Sequence, residues 1–148
     1  MKCANLVKLS VFVHERENLL EIEKSFLSFL PFDFKKEKIK ISRINAKGFE
    51  EKKIIILETT LTKESHINKF LKNLNEKLSN ETKQLILHQA LTRLNPEYSF
   101  YLRFDKEKLM ENNLELVDHG NCFHIRISLA LFNKTNKAAM ELLKKIFA

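Results

Sequence analysis

The sequence predicts an α+β fold: a two-layer sandwich in which helices cover one face of a mainly antiparallel sheet. Separate segments alternate apolar and polar residues, which is typical of strands with one buried face. Other segments place apolar residues at helical spacing, which predicts amphipathic helices between the strands. Only two glycines and two prolines interrupt the 148 residues, so most of the chain can form regular elements. We expect residues 1–148 to form a single domain, because this is an ordinary length for one hydrophobic core.

Five segments carry the strand pattern. In the first, apolar residues occupy the odd positions from 7 to 13, while polar residues and Phe12 occupy the even ones. The sequence Ala46-Lys47-Gly48 is expected to turn the second strand into the third as a hairpin. The predicted strands are Leu6–His14, Lys38–Ile44, Lys53–Leu61, Tyr98–Phe104 and Cys122–Phe132. Asn113–Val117 is a candidate for a further short strand.

Amphipathic segments between and after these strands predict the helix layer. Their apolar stripes recur every three or four residues, and prolines or capping residues mark their ends. The predicted helices are Glu17–Leu30, one capped by Thr62, one from Ser79 to Leu94, a short one capped by Asp105 and one that begins at Thr135.

The net charge of +7 favours a polyanionic partner, because clustered cations attract phosphates and release counterions on binding. Of the 26 basic residues, however, 21 are lysines, and the excess of Lys, Asn and Ile is typical of compositional bias. The five arginines are the more informative cations, because a guanidinium suits phosphates and base edges better than an ammonium does.

Cysteine usage and hydropathy favour a reducing, aqueous compartment. Cys3 and Cys122 cannot make a disulfide framework, and the sequence has no Cys-x-x-Cys pair for a zinc ribbon. No apolar run approaches the roughly 20 residues that span a bilayer, and the first residues lack the apolar core of a signal peptide. We therefore expect a soluble cytoplasmic protein with no membrane partner.

Motifs for catalysis are absent from the sequence. It contains no phosphate-binding P-loop, no GxGxxG dinucleotide fingerprint and no GxSxG nucleophile elbow. His119, Cys122 and His124 resemble a partial metal-ligand set, but a turn histidine and a strand histidine explain the same residues. We therefore expect no enzymatic activity, no catalytic residue, no metal and no cofactor.

The sheet face opposite the helices carries the functional argument. It combines cations with a few aromatic rings, and unstacked bases lie on such rings while cations hold the phosphates. The candidate RNA-binding residues of this face are Lys8, Phe12, His14, Lys40, Tyr101, Arg103, His124 and Arg126. The same residue types also form cross-strand pairs that bind nothing. The alternative is a protein-interaction module or homodimer that buries Phe12 and the open sheet face, with no RNA binding.

Three segments resemble a known family. Val13-His14-Glu15-Arg16-Glu17 resembles its histidine and acidic helix start, Leu30-Pro31 resembles its first helix end, and Tyr101-Leu102-Arg103-Phe104-Asp105-Lys106 resembles its most recognisable string. This small archaeal family comprises predicted RNA-binding proteins and exosome subunits, and its fold is similar to the large-subunit ribosomal protein that holds 5S RNA. At positions 48–52 this chain has Gly-Phe-Glu-Glu-Lys where the family usually has Gly-His-Tyr-Gly-Asn.

The resemblance implies a non-catalytic, cytoplasmic archaeal protein in RNA processing or ribosome-linked metabolism. Its implied partners are RNA and exosome or ribosome-linked proteins. The resemblance matches Arg103 and His14 to family positions and adds Lys106 to the candidate RNA-binding residues.

Overall fold

The structure, a computed structural model, describes residues 2–148. Its strands are β1 (Ala4–His14), β2 (Ser42–Lys47), β3 (Lys53–Leu61), β4 (Ser99–Asp105) and β5 (Cys122–Leu129). Its helices are α1 (Leu19–Ser28), α2 (Phe34–Glu37), α3 (Glu64–Lys77), α4 (Asn80–His88), α5 (Lys106–Met110) and α6 (Asn136–Ile146). Short 3₁₀ turns lie at Phe49–Glu51 and Ala90–Arg93.

The five strands form one antiparallel sheet in the order β2-β3-β1-β5-β4. β1 is the central strand, because it pairs with β3 on one side and β5 on the other. The helices cover one face and bury alternate strand residues, including Val7, Phe100 and Ile127. The predicted α+β class and two-layer arrangement are therefore confirmed.

Side-chain caps fix where most helices begin. Five residues accept a hydrogen bond from the backbone N–H three positions later: Asn18, Asp33, Ser79, Asp105 and Thr135. The predicted cap at Asp105 is thus confirmed, and the last helix, predicted to begin at Thr135, has that residue as its cap. The predicted cap at Thr62 is wrong, because α3 begins at Glu64 and no side chain caps its first turn.

The second strand differs from its prediction. Lys38 has a left-handed backbone (φ 56°) that ends the short helix α2, and the strand begins only at Ser42. Ile39 and Ile41 alternate with lysines because both pack against the core from the segment that connects α2 to β2. The strand then continues to Lys47, through residues that were expected to turn.

Two other predicted strand segments are shorter than expected. β5 ends at Leu129, and Phe132, the predicted last residue, is fully exposed. In place of the strand predicted at Asn113–Val117, a single β-bridge joins Leu116 to Phe104. β3 agrees with its prediction residue for residue, and the ends of β1 and β4 agree to within two residues.

Replacing Ile127 with Asp tests the assignment of the two sheet faces. Ile127 is fully buried beneath the helices, so an unpaired carboxylate there should remove several kcal/mol of the roughly 5 to 15 kcal/mol that stabilise a typical protein of this size. Thr60→Asp, at an exposed position on β3, is the control and should cost about 1 kcal/mol or less. A thermal melt of Ile127→Asp that matches the wild-type protein would contradict the assignment.

Candidate nucleic-acid interface

The sheet face opposite the helices, called the open face below, is divided into two halves. Strands β1, β5 and β4 form the first, which we call the cationic half. It consists of Lys8, Ser10, Phe12, Tyr101, Arg103, His124 and Arg126. In the strand register, Arg126 on β5 lies between Lys8 on β1 and Tyr101 on β4. His124, also on β5, lies between Ser10 and Arg103.

These side chains line a groove of about 430 Å³. Phe12 is 45% exposed, and the centre of its ring lies 6.3 Å from the centre of the His124 ring. The Arg103 guanidinium lies 6.0 Å from the centre of the Tyr101 ring, within the range of a cation–π contact. The groove therefore offers flat aromatic surface and positive charge side by side.

Two arginines of the cationic half have no acidic partner within residues 2–148. The Arg126 side chain donates one hydrogen bond, to the Ser99 hydroxyl at 3.3 Å, and the Arg103 side chain makes no hydrogen bond or ion pair in that part of the chain. Lys8 differs, because its ammonium lies 3.4 Å from the Glu58 carboxylate. The protein itself thus leaves two guanidinium charges on this surface without a counter-charge.

His124 adds no charge to the groove at neutral pH. Burial, followed by the nearby positive charges of Arg103 and Lys106, lowers the pKa of His124 below its usual value. The imidazole Nε2 lies 3.6 Å from the Cys122 sulfur, so these two residues share a face. A neutral imidazole can donate one hydrogen bond and accept another.

Two of the sequence candidates lie outside the groove. His14 ends β1 with an exposed side chain, and its backbone N–H donates to Glu17 Oε1 at 2.9 Å. Lys40 is exposed but precedes β2, so its predicted place on the sheet is wrong. The reason is that β2 begins only at Ser42, which leaves Lys40 in the segment that connects α2 to β2.

Lys106 does not lie on the open face, so its prediction as an RNA-binding residue is wrong. Its side chain is 1% exposed, and its ammonium donates to the Phe12 carbonyl at 2.6 Å and to Asn121 Oδ1 at 2.7 Å. The same ammonium lies 3.0 and 3.2 Å from the two carboxylate oxygens of Glu17. An ammonium carries three N–H donors, so these contacts saturate it. Lys106 is therefore an internal structural cation that cannot meet a phosphate.

Glu17 completes this buried network. Its carboxylate also accepts hydrogen bonds from the His14 N–H at 2.9 Å and from the Asn121 side-chain amide at 3.1 Å. Burial alone would raise the pKa of Glu17, but the His14 N–H, Lys106 and Asn121 together outweigh burial and lower it. The carboxylate is therefore charged at pH 7, and the stability it contributes is lost only as the pH falls through that lowered pKa.

Strands β2 and β3 form the second half of the open face, which we call the apolar half. It consists of Ile44, Ala46, Ile54 and Ile56, with Phe12 at its border with the cationic half. Ile44 is 42% exposed, and Phe49 at the tip of the hairpin is 88% exposed. Sequence reasoning missed this half. The signal was the uninterrupted apolar run from Ile54 to Leu57, which makes both faces of β3 apolar.

A second cavity of about 620 Å³, which we call the side pocket, lies beside β4. It shares Tyr101 and Arg103 with the groove, so the two are neighbours on one surface. In its wall, the buried Arg93 guanidinium donates to Gln89 and Asp118. Sequence reasoning did not find the side pocket, because only tertiary packing brings the end of α4 next to the loop that holds Asp118.

Within residues 2–148, no three His, Cys, Asp or Glu side chains are placed together so that they could hold a metal ion. No helix in the same part of the chain has the length and apolar character needed to cross a bilayer.

Replacing Lys106 with Met tests its structural role, because Met keeps much of the length of the side chain but removes its charge. The change leaves the Glu17 carboxylate, the Phe12 carbonyl and Asn121 Oδ1 without their shared donor. We expect the free energy of unfolding, measured in urea at pH 7, to fall by about 3 kcal/mol. Lys108→Met, at an exposed position on the same helix, is the matched control and should change it by about 0.5 kcal/mol or less.

A double-mutant cycle with Glu17→Gln measures the pair directly. If Lys106 and Glu17 act as one unit, the double variant should lose clearly less stability than the two single losses added together. Additive losses, or equal stability of Lys106→Met and Lys108→Met, would contradict this role.

The chain has relatives of matching length. RNA-binding protein PAB1135 of Pyrococcus abyssi is 21% identical over 142 residues, which cover 96% of this chain and 92% of that protein. The crystal structure of a DUF54 protein from Archaeoglobus fulgidus matches with a TM-score of 0.82 and 25% identity, covering 97% of this chain and 99% of the other. A DUF54 crystal structure from Sulfolobus solfataricus matches with a TM-score of 0.76 and 29% identity, covering 96% and 97%.

A family model described as RNA binding matches residues 6–129. That segment runs from the beginning of β1 to the end of β5 and so contains the groove, the side pocket and the buried network. The relatives of known source come from archaea. The chain therefore belongs to this archaeal RNA-binding family.

Proposed function

We propose that this protein is a non-catalytic RNA-binding protein that holds single-stranded RNA on the cationic half of the open face. The observation that carries the proposal is the pair of guanidinium groups, Arg103 and Arg126, that lack a carboxylate partner within residues 2–148. They lie beside the rings of Phe12 and Tyr101 in one groove. The family description and the name of the Pyrococcus relative support the same conclusion.

The groove suits unpaired RNA because of the chemistry that it combines. A guanidinium presents a planar fork of donors that matches two phosphate oxygens. Phe12 and Tyr101 offer surfaces for stacking, and only bases that are free of a duplex can lie flat on a protein ring. The neutral His124 offers hydrogen bonds on the floor of the groove. Together these groups favour a single strand over a duplex.

We further propose that the protein is an accessory of a larger RNA-processing assembly, such as an exosome or ribosome-linked complex, in the archaeal cytoplasm. The support is the resemblance of residues 13–17, 30–31 and 101–106 to the corresponding family segments. The apolar half of the open face would supply the protein-binding surface, directly beside the RNA groove.

The apolar half also favours a second candidate function, in which the protein is an interaction module or homodimer that binds no RNA. Ile44 and Phe12 are each more than two-fifths exposed, and β2 is an edge strand with an unpaired backbone edge. A homodimer through this surface would depend on apolar contact and would respond little to salt.

Arginine substitutions test the proposed function. Arg103→Ala and Arg126→Ala should each weaken binding of a mixed-sequence, single-stranded RNA and lower the slope of log K against log salt by about 0.7, the value for one phosphate contact. Tyr101→Ala should weaken binding by about 1 to 3 kcal/mol, because a stacked base loses its platform. Fluorescence anisotropy at two salt concentrations measures both effects, and a duplex RNA of the same sequence should bind more weakly.

Lys144→Ala is the control for bulk charge, because Lys144 is exposed on α6 in the helix layer. It should leave binding nearly unchanged. Equal losses for Arg103→Ala and Lys144→Ala would show that the charge acts non-specifically and that the groove is not a site. If no RNA binds at low salt, the proposal fails. A dimeric mass in light scattering that Ile44→Glu reduces to a monomer would then establish the second candidate.

A further inference from the structure

The side pocket extends the groove of the cationic half to the edge of the sheet. Tyr101 and Arg103 line both cavities, so a ligand that leaves the groove over β4 enters the side pocket directly. With a volume of about 620 Å³, the pocket is large enough for a nucleobase.

The buried Arg93 organises the polar groups of this pocket. The side chain of Arg93 is 6% exposed, and its guanidinium nitrogen Nη2 donates both to Gln89 Oε1 at 2.8 Å and to Asp118 Oδ1 at 2.9 Å. Its Nε also donates to Gln89 Oε1, at 3.2 Å. The Arg93 guanidinium therefore holds the Gln89 amide and the Asp118 carboxylate side by side. Because the amide oxygen faces Arg93, the amide nitrogen Nε2 faces away from it.

Each of the two side chains that Arg93 holds keeps one polar atom without a partner within residues 2–148: the amide nitrogen Nε2 of Gln89, a donor, and Asp118 Oδ2, an acceptor. Asn95, also in the pocket wall, is already satisfied. Its oxygen accepts from the backbone N–H groups of Glu97 and Ser99, and its nitrogen donates to the Tyr101 hydroxyl. Apart from the Arg103 guanidinium, which the pocket shares with the groove, the open hydrogen-bonding capacity of the pocket is thus concentrated at Gln89 and Asp118.

The position of Asp118 is fixed from two sides. Its carboxylate is tied to Arg93, and the backbone N–H of its neighbour Val117 donates to the Arg103 carbonyl at 2.8 Å. The carboxylate side chain is 77% exposed, so its free oxygen is accessible from solvent.

Guanine is the base whose edge best complements this arrangement. Along its Watson–Crick edge, guanine presents the acceptor O6 and then two donors, N1–H and N2–H₂. The acceptor suits the amide donor of Gln89, and the adjacent donors suit the carboxylate of Asp118. Uracil presents a single donor between two acceptors, so one of its carbonyl oxygens would face the carboxylate. Adenine and cytosine each offer only one donor group.

We propose that the side pocket binds a single unpaired guanine of the RNA strand that lies in the groove, with Gln89 and Asp118 reading its Watson–Crick edge. This inference rests on the proposed RNA-binding function. It assigns Tyr101 and Arg103 to the passage between the groove and the pocket, and it makes the protein guanine-selective at one nucleotide.

Oligonucleotide binding tests the proposal. The wild-type protein should bind an eight-nucleotide uridine RNA that carries one internal guanosine about tenfold more tightly than the all-uridine RNA. Asp118→Asn should reduce this preference to about twofold or less without weakening binding of the all-uridine RNA. Glu76→Gln, which removes an exposed carboxylate from α3, is the matched charge control and should keep the preference.

A base analogue provides a second test that does not depend on how a variant folds. Inosine lacks the N2 amino group of guanosine, so replacing the guanosine with inosine should lower the affinity of the wild-type protein several-fold. Equal binding of the guanosine, inosine and all-uridine RNAs would overturn the pocket but leave the RNA groove intact. An equal loss of preference in Asp118→Asn and Glu76→Gln would also overturn it. No binding of any of these RNAs at low salt would overturn the RNA-binding function itself and the pocket with it.

Discussion

The ion pair between the buried Lys106 ammonium and the partly exposed Glu17 carboxylate is the contact on which the geometry of the open face depends. Lys106 begins α5 directly after β4, while Glu17 lies in the turn after β1. Their contacts with the Phe12 carbonyl and with Asn121, which precedes β5, bind the ends of all three strands of the cationic half to one another. A buried ammonium such as that of Lys106 is stable only when it is paired and hydrogen-bonded, so these contacts hold the three strand ends in place. Two segments that resemble the family, residues 13–17 and 101–106, meet here. Their shared role is therefore architectural at Glu17 and Lys106, while Arg103 from the same string faces the groove.

The division of the open face follows from which charges the fold neutralises. Of the five arginines, Arg93 is paired with Asp118, Arg43 is paired with Glu23, and Arg16 lies exposed in the turn after β1. The other two, Arg103 and Arg126, lie together on the open face. Lysine is abundant but scattered, so the net charge of +7 says less about function than the location of these two guanidinium groups. The apolar residues of β2 and β3 occupy the other half of the same face. The fold thus places an apolar surface beside the cationic groove, and the two meet at Phe12 and Ile56.

Much of the sheet was predictable from the sequence because alternation has a direct physical cause. Strand residues point to opposite faces in turn, so alternation placed the ends of β1 and β4 to within two residues, while a β-branched run placed β3. Ile39 and Ile41 misled the same reasoning, because two apolar residues can reach a core from a connecting segment as well as from a strand. Lys106 entered the candidate RNA-binding residues through the family resemblance, and nothing in its local sequence distinguishes a buried lysine from a solvated one. Only the tertiary approach of Glu17 and Asn121 shows that it is buried. The side pocket could not be predicted from the sequence for the same reason, since Gln89 and Asp118 are distant in sequence and only the tertiary fold brings them together.

The most direct test of this account is an NMR titration of the ¹⁵N-labelled protein with a short single-stranded RNA. We expect the largest shifts of backbone amide signals on β1, β4 and β5, around Lys8, Tyr101 and Arg126, and no comparable shifts along α3 and α6 in the helix layer. Shifts concentrated on the helix layer, or on the β2–β3 hairpin alone, would contradict the assignment of the cationic half as the RNA-binding surface.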